Sequence, residues 1–200
     1  MAGDSSYSTP TDGYYDPWPQ RKLGRPIAVC SFFGGGGASV AKRLAALGGW
    51  SHVDVYEETA HRLGEHRATV GTSMENPDWC HTEEQVLESA INRQPAGIIG
   101  LTEGCLVDNR TLDLLRFRTH LVMIDVDLLR LQERLLHEND AHPERFPEFT
   151  EQPIPDLHTL QLLYKARAPL YEAAQLRIDA TRLSPAIAAR RALEALQISR

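Results

Sequence analysis

A chain of 200 residues with 42% hydrophobic and 24% charged side chains is long enough to bury a sizeable core as one globular α/β domain. Its formal net charge of −6 argues against a nucleic-acid partner, and no apolar stretch reaches the ~20 residues a bilayer span needs. Cys30, Cys80 and Cys105 are too widely spaced for a disulfide framework or a zinc site, and free thiols without a leader pattern point to a cytoplasmic setting.

Residues 1–25 are rich in Ser, Thr, Gly, Pro and Tyr and read as a disordered tail ahead of a domain over 26–200. The aromatics Tyr14, Tyr15 and Trp18 give that tail a handle for a protein partner. From Pro26 short apolar runs alternate with helical patterns. The predicted order is strand 27–32, helix 39–47, strand 52–55, helices 56–63 and 83–92, and strand 97–101. A helix over 111–116, a fully buried strand over 121–126 and a helix over 128–137 follow. A Pro- and Glu-rich stretch over 139–155 reads as a lid. The chain closes with a helix over 157–173, a strand over 176–178, and a helix started by Ser184 as N-cap and Pro185 at its first position. Alternation of this kind predicts a parallel sheet with crossover helices.

The most informative segment lies between the first strand and helix. Ser31–Ser39 reads S-F-F-G-G-G-G-A-S, where a phosphate loop of the form G-x-x-x-x-G-K-[ST] would place its residues at Ser31, Gly36, Gly37 and Ala38. Only Gly36 fits. The backbone of Gly34, Gly35, Gly36 and Gly37, with Ala38 and Ser39, could still cradle an anion. The lysine that reaches the β/γ-phosphates and the hydroxyl that holds Mg²⁺ are both missing. Lys42 and Arg43 fall in the second helical turn, pointing away from its N-terminus. ATP and Mg²⁺ binding is therefore expected to be weak or lost, with no cofactor.

Taken together, the motifs resemble those of the shikimate kinase family over roughly 26–198. The family's loop phrase G-F-M-G-A-G-K-[ST]-T-V-G is similar to Ser31–Ala41, and its D-T-D followed by E-L-I-E-E-R-T-G is similar to D-V-Y-E-E-T-A-H-R-L-G from Asp54. Its F-R pair falls at Trp79-Cys80, and its glycine triplet at Thr102-Glu103-Gly104. R-A-P-L-Y at Arg167–Tyr171 resembles its R-x-P-L-Y signature. The resemblance implies a three-layer α/β P-loop fold of the nucleoside-monophosphate-kinase type. It also implies that the departures fall on working positions. Tyr56 stands for the aspartate that contacts the shikimate hydroxyl, Cys80 for the arginine on the substrate carboxylate, and Thr102 and Glu103 for two of the three glycines. Asp54, Gly104 and Arg167 survive, and Arg145 stands for a lid arginine.

The missing lysine alone removes electrostatic stabilisation on the order of 3 kcal/mol, or 10²–10³ in rate. Glu103 and Asp54 facing each other would raise one carboxyl's pKa and form an acid/base pair, or would repel an anionic phosphate. Tyr56 and Trp79 would narrow the pocket. The readings are a repurposed enzyme or binding protein for a small carboxylated ring compound, as in secondary metabolism; a pseudokinase working through protein contacts; and residual kinase activity. In the first, Glu103, Asp54 and Tyr56 are the catalytic candidates, while Arg167, Trp79, Cys80, Thr102, Gly104 and Arg145 bind substrate. Cys80 and Cys105 are read as small hydrophobes rather than nucleophiles. Glu57 and His61 share a helical face, but two ligands make no metal site. Asp125 and Asp127 read as turn and helix-cap residues.

Overall fold

A computed structural model describes residues 22–64, 77–102, 108–141 and 154–197. The sequence expectations on Glu103, Gly104, Cys105, Arg145, most of the lid and residues 1–21 of the tail lie outside them. Five parallel strands form one sheet in the order β2-β3-β1-β4-β5, with β1 at Ile27–Ser31, β2 at His52–Asp54, β3 at Ile98–Gly100, β4 at His120–Asp125 and β5 at Leu176–Asp179. Each apolar run became a strand because its residues lie between helices on both faces. The central β1 is buried along its whole length.

Helix α1, Gly37–Gly48, buries Gly37, Val40, Ala41, Leu44, Ala45 and Gly48, the spacing of one helical face. It packs against α8, Pro185–Ala195, through the latter's Ala188, Ala189 and Ala192. The Ser184 hydroxyl accepts from the Ile187 amide at 3.4 Å and starts α8 where the sequence indicated. Helices α2 at Val55–Leu63, α3 at Pro77–Asn92, α4 at Asn109–Arg118 and α5 at Leu128–Ala141 complete the first two thirds of the chain. The layers are those of the three-layer P-loop architecture.

Several boundaries differ from the sequence expectation. Helix α3 begins at Pro77, six residues early, because proline at a first helical position gives up an N–H that needs no partner there. The expected helix over 157–173 is two helices, α6 at Leu157–Ala166 and α7 at Ala168–Glu172. Pro169 cannot donate to the carbonyl four residues back, so the helix breaks and Arg167 stands at the joint. Val55 belongs to α2 rather than to β2, because the Asp54 carboxylate accepts from the Glu57 amide at 3.2 Å and caps the helix. Helix α5 runs to Ala141, into the start of the expected lid. Leu23 packs against the core, so the tail's last residues already belong to the domain.

Candidate functional site

The glycine loop joins β1 to α1. Gly34 and Gly36 take left-handed backbone, with φ of 68° and 80°, a conformation that favours glycine. A Cβ on Gly34 would also meet the Leu135 side chain of α5 at 2.9 Å. Ser31, at the end of β1, is buried, and its hydroxyl accepts from the Gly37 amide at 3.0 Å. Its side chain lies against the inner surface of the loop. A Cβ on Gly37 would stand 2.5 Å from Ser31 Oγ, and one on Gly35 would stand 2.9 Å from Ser31 Cβ. Lys42 and Arg43 are exposed on α1.

Arg167 is the charge that the fold sets beside this loop. Only 8% exposed, its guanidinium lies over the Phe33 ring, with Cζ 4.9 Å from the centroid, and over Phe32 at 5.8 Å. Its Nη1 donates to the Leu163 carbonyl at 2.9 Å. Phe32 continues an aromatic series through Tyr164, at 5.5 Å between centroids, to Tyr171, at 5.0 Å. The Tyr164 hydroxyl donates to Asp125 at 3.3 Å. Burial, then the Asp125 charge, and to a lesser extent this bond raise the tyrosine's pKa, with Arg177 opposing them. Asp125 also pairs with Arg177 at 3.4 Å. Asp127 caps α5 by accepting from the Leu129 and Arg130 amides, as its position in the sequence suggested.

Across the sheet from this series, α2 and α3 build a small core of their own from Ala60 and Trp79, with Tyr56 and Leu63 packed against it. Tyr56 and Trp79 stack with centroids 5.4 Å apart at 55°. Trp79 is 1% exposed, so its indole supports Tyr56 from within. Cys80 is exposed, and burial of its sulfur and the neighbouring Glu83 carboxylate raise its pKa. Cys30 on β1 is pushed up to about 12 by burial. Neither described thiol is activated as a nucleophile.

The carboxyl that the described residues place here is Glu83, a group that sequence reading treated only as a helix start. The buried Thr102 hydroxyl, just beyond β3, donates to it. Burial raises the pKa of Glu83, and the Thr102 bond partly offsets the rise. Cys80, Glu83 and Thr102 thus form one group, while Asp54 and Tyr56 form another at the start of α2.

Cavities among the described residues include the following pair. One of about 250 Å³ lies between β2, α2 and α3, lined by His52, Asp54, Glu57, Glu58, Arg62 and Arg93 among others. The other, about 410 Å³, lies between α5 and the turn after β5, lined by Arg130, Glu133, Arg134, His137, Thr181 and Arg182. Among the described residues no cluster of three or more His, Cys, Asp or Glu could hold a metal ion, and no helix is long and apolar enough to cross a membrane.

A parallel 2-3-1-4-5 sheet with a glycine loop between its first strand and helix defines a P-loop phosphotransferase scaffold of the nucleoside-monophosphate-kinase type. The shikimate kinase family model matches residues 33–197, and the chain belongs to that family. The fold is similar to shikimate kinase from Acinetobacter baumannii, solved in complex with shikimate, with a TM-score of 0.72 at 20% identity, covering 88% of this chain and 94% of that one. Shikimate kinase from Aquifex aeolicus gives a TM-score of 0.69 at 19% identity over 86% and 96%. A gluconokinase from Sinorhizobium meliloti gives 0.57 at 16% over 88% and 93%. At such identities these likenesses speak for the fold alone. No curated protein is matched by the sequence.

Proposed function

We propose that this member of the shikimate kinase family does not transfer phosphate from ATP. It holds a small carboxylated ring compound, as a binding protein or as an enzyme of another kind. The observation that carries the reading is at residue 37. Where phosphoryl transfer needs a cation there is a glycine, and its amide is already bonded to the Ser31 hydroxyl. The exposed Lys42 and Arg43 offer no replacement, and Ala38 has no hydroxyl for Mg²⁺.

The ligand class rests on what remains. Arg167 keeps a permanent cation against the loop's aromatic pair, suited to a carboxylate because its planar fork presents paired donors. With Cys80 in place of a second arginine, the carboxylate depends on Arg167 alone. Asp54, Tyr56 and Thr102 supply hydrogen-bonding groups, and Glu83 is a carboxyl that keeps its proton above the ordinary range. Glu103 and Gly104, next to Thr102 in sequence, and Arg145 in the lid complete the candidate set. The structural neighbour from Acinetobacter baumannii holds shikimate, a ligand of this class.

Calorimetric titration with ATP–Mg²⁺, with and without shikimate, tests the first part: no saturable heat is expected, and micromolar binding of ATP–Mg²⁺ would overturn it. Melting against a panel of ring carboxylates and cyclitols tests the second. A carboxylate-dependent upward shift that R167A abolishes is expected. No shift with any compound would overturn the ligand assignment.

A further inference from the structure

We infer that Ser31 is the residue that decides what the glycine loop can hold: its hydroxyl, where it bonds the Gly37 amide, takes the space a side chain at position 37 would need, so Ser31 and Gly37 are one coupled change. The inference rests on, and deepens, the reading that the loop holds no nucleotide.

Helix α1 has Gly36 as its N-cap, which carries no side-chain acceptor. The first amide of the helix, on Gly37, would then need an outside partner. The Ser31 hydroxyl, six residues back on β1, is that partner at 3.0 Å, an ordinary N–H···O length. The hydroxyl therefore occupies one of the amides that an anion at this helix start would use.

The same side chain also sets the shape of the loop. With Ser31 Oγ 2.5 Å from a Cβ at position 37, and Ser31 Cβ 3.0 Å from it, every residue but glycine must displace the serine. Turning the hydroxyl away about χ1 breaks its bond to the Gly37 amide and still leaves the Ser31 Cβ at 3.0 Å and its backbone nitrogen at 3.3 Å from a side chain at 37. At position 35 a Cβ would meet Ser31 Cβ at 2.9 Å and the Phe32 carbonyl oxygen at 2.8 Å. Glycine at 37 is thus what a serine at 31 favours, whereas at 35 the Phe32 carbonyl alone already requires it. Putting a lysine back at 37 therefore restores nothing while Ser31 remains.

The test is a double-mutant cycle on the full chain: wild type, S31G, G37K and S31G/G37K, each melted and each titrated with inorganic triphosphate and with ATP–Mg²⁺. G37K is expected to melt below wild type and to bind no triphosphate. Adding S31G to G37K is expected to raise the melting temperature and to tighten triphosphate binding at least about tenfold relative to G37K. S31G in the wild-type background is expected to lower the melting temperature, which gives the interaction its opposite sign. Additive melting shifts, or equal triphosphate affinity in G37K and S31G/G37K, would overturn the coupling. Tight ATP–Mg²⁺ binding by wild type would instead overturn the proposed function, leaving the cycle to decide the coupling on its own.

Discussion

The glycine loop and the α2–α3 pair are held in place by different means. In the loop, Gly37 and Ala38 are small, and the left-handed turns at Gly34 and Gly36 set the backbone path. In the α2–α3 pair, bulk is present: Tyr56 stacks on the buried Trp79, and the two helices share a core distinct from the main one. The loop is held by β1 and α1 on either side, by the Ser31 bond to the Gly37 amide and by the Gly35 amide's bond to the Phe32 carbonyl. The α2–α3 unit adds this small core to the residues it gives the main one, Val55 from α2 and Val86, Leu87, Ala90 and Ile91 from α3.

This contrast can be broken on either side, and the largest effect belongs to the α2–α3 core. W79A should destabilise the protein by about 3 kcal/mol in denaturant unfolding, with amide exchange rising in α2 and α3 and not in α1. A loss spread evenly over the sheet would contradict a separate core. Next comes the joint between α6 and α7. R167L removes the stack on Phe33 and the bond to the Leu163 carbonyl, for about 2 kcal/mol. R167K should recover part of this, since it keeps the charge without the planar fork.

Within the loop the two left-handed glycines should differ. G34A meets both an unfavourable φ and the Leu135 side chain, whereas the space around Gly36 is open. G34A should therefore cost about 2 kcal/mol and G36A about 1 kcal/mol. Equal costs would mean that contact with α5 does not constrain the loop.

The smallest effects concern pH. The Asp108 and Asp156 carboxylates accept from the Thr111 and Thr159 amides, and those bonds hold them below their ordinary 3.8. A depressed folded pKa gives stability that is present above 3.8 and lost as pH falls through the lower folded value. D108N/D156N, which still caps, should flatten the acid limb of a melting-versus-pH curve. Glu83 has the opposite sign, because burial raises its folded pKa above 4.5. Its contribution is present below 4.5 and lost as pH rises through the folded value, so E83Q should remove that decline.

The alternation of apolar runs and helical patterns was enough to read the parallel sheet and most elements. It missed features that periodicity does not encode. The start of α3 lies in P-D-W-C, where a proline and an acid mark a helix before any apolar stripe appears. The break at Arg167 follows from Pro169, visible in R-A-P-L-Y but masked by a continuous amphipathic pattern. In the sequence Ser31 stands out only as a missing glycine. Its hydroxyl became meaningful only when folding set it against Gly37, and the glycine run that flanks it was the available signal. Glu83 and Thr102, nineteen residues apart, meet only because α3 packs on β3.

The central claim is that the scaffold persists while phosphate transfer does not. Its most direct test is phosphate transfer itself, followed with γ-labelled ATP, Mg²⁺ and shikimate at saturating enzyme. The account expects no labelled shikimate above the enzyme-free background. Label appearing in proportion to enzyme, and lost on denaturation, would contradict it.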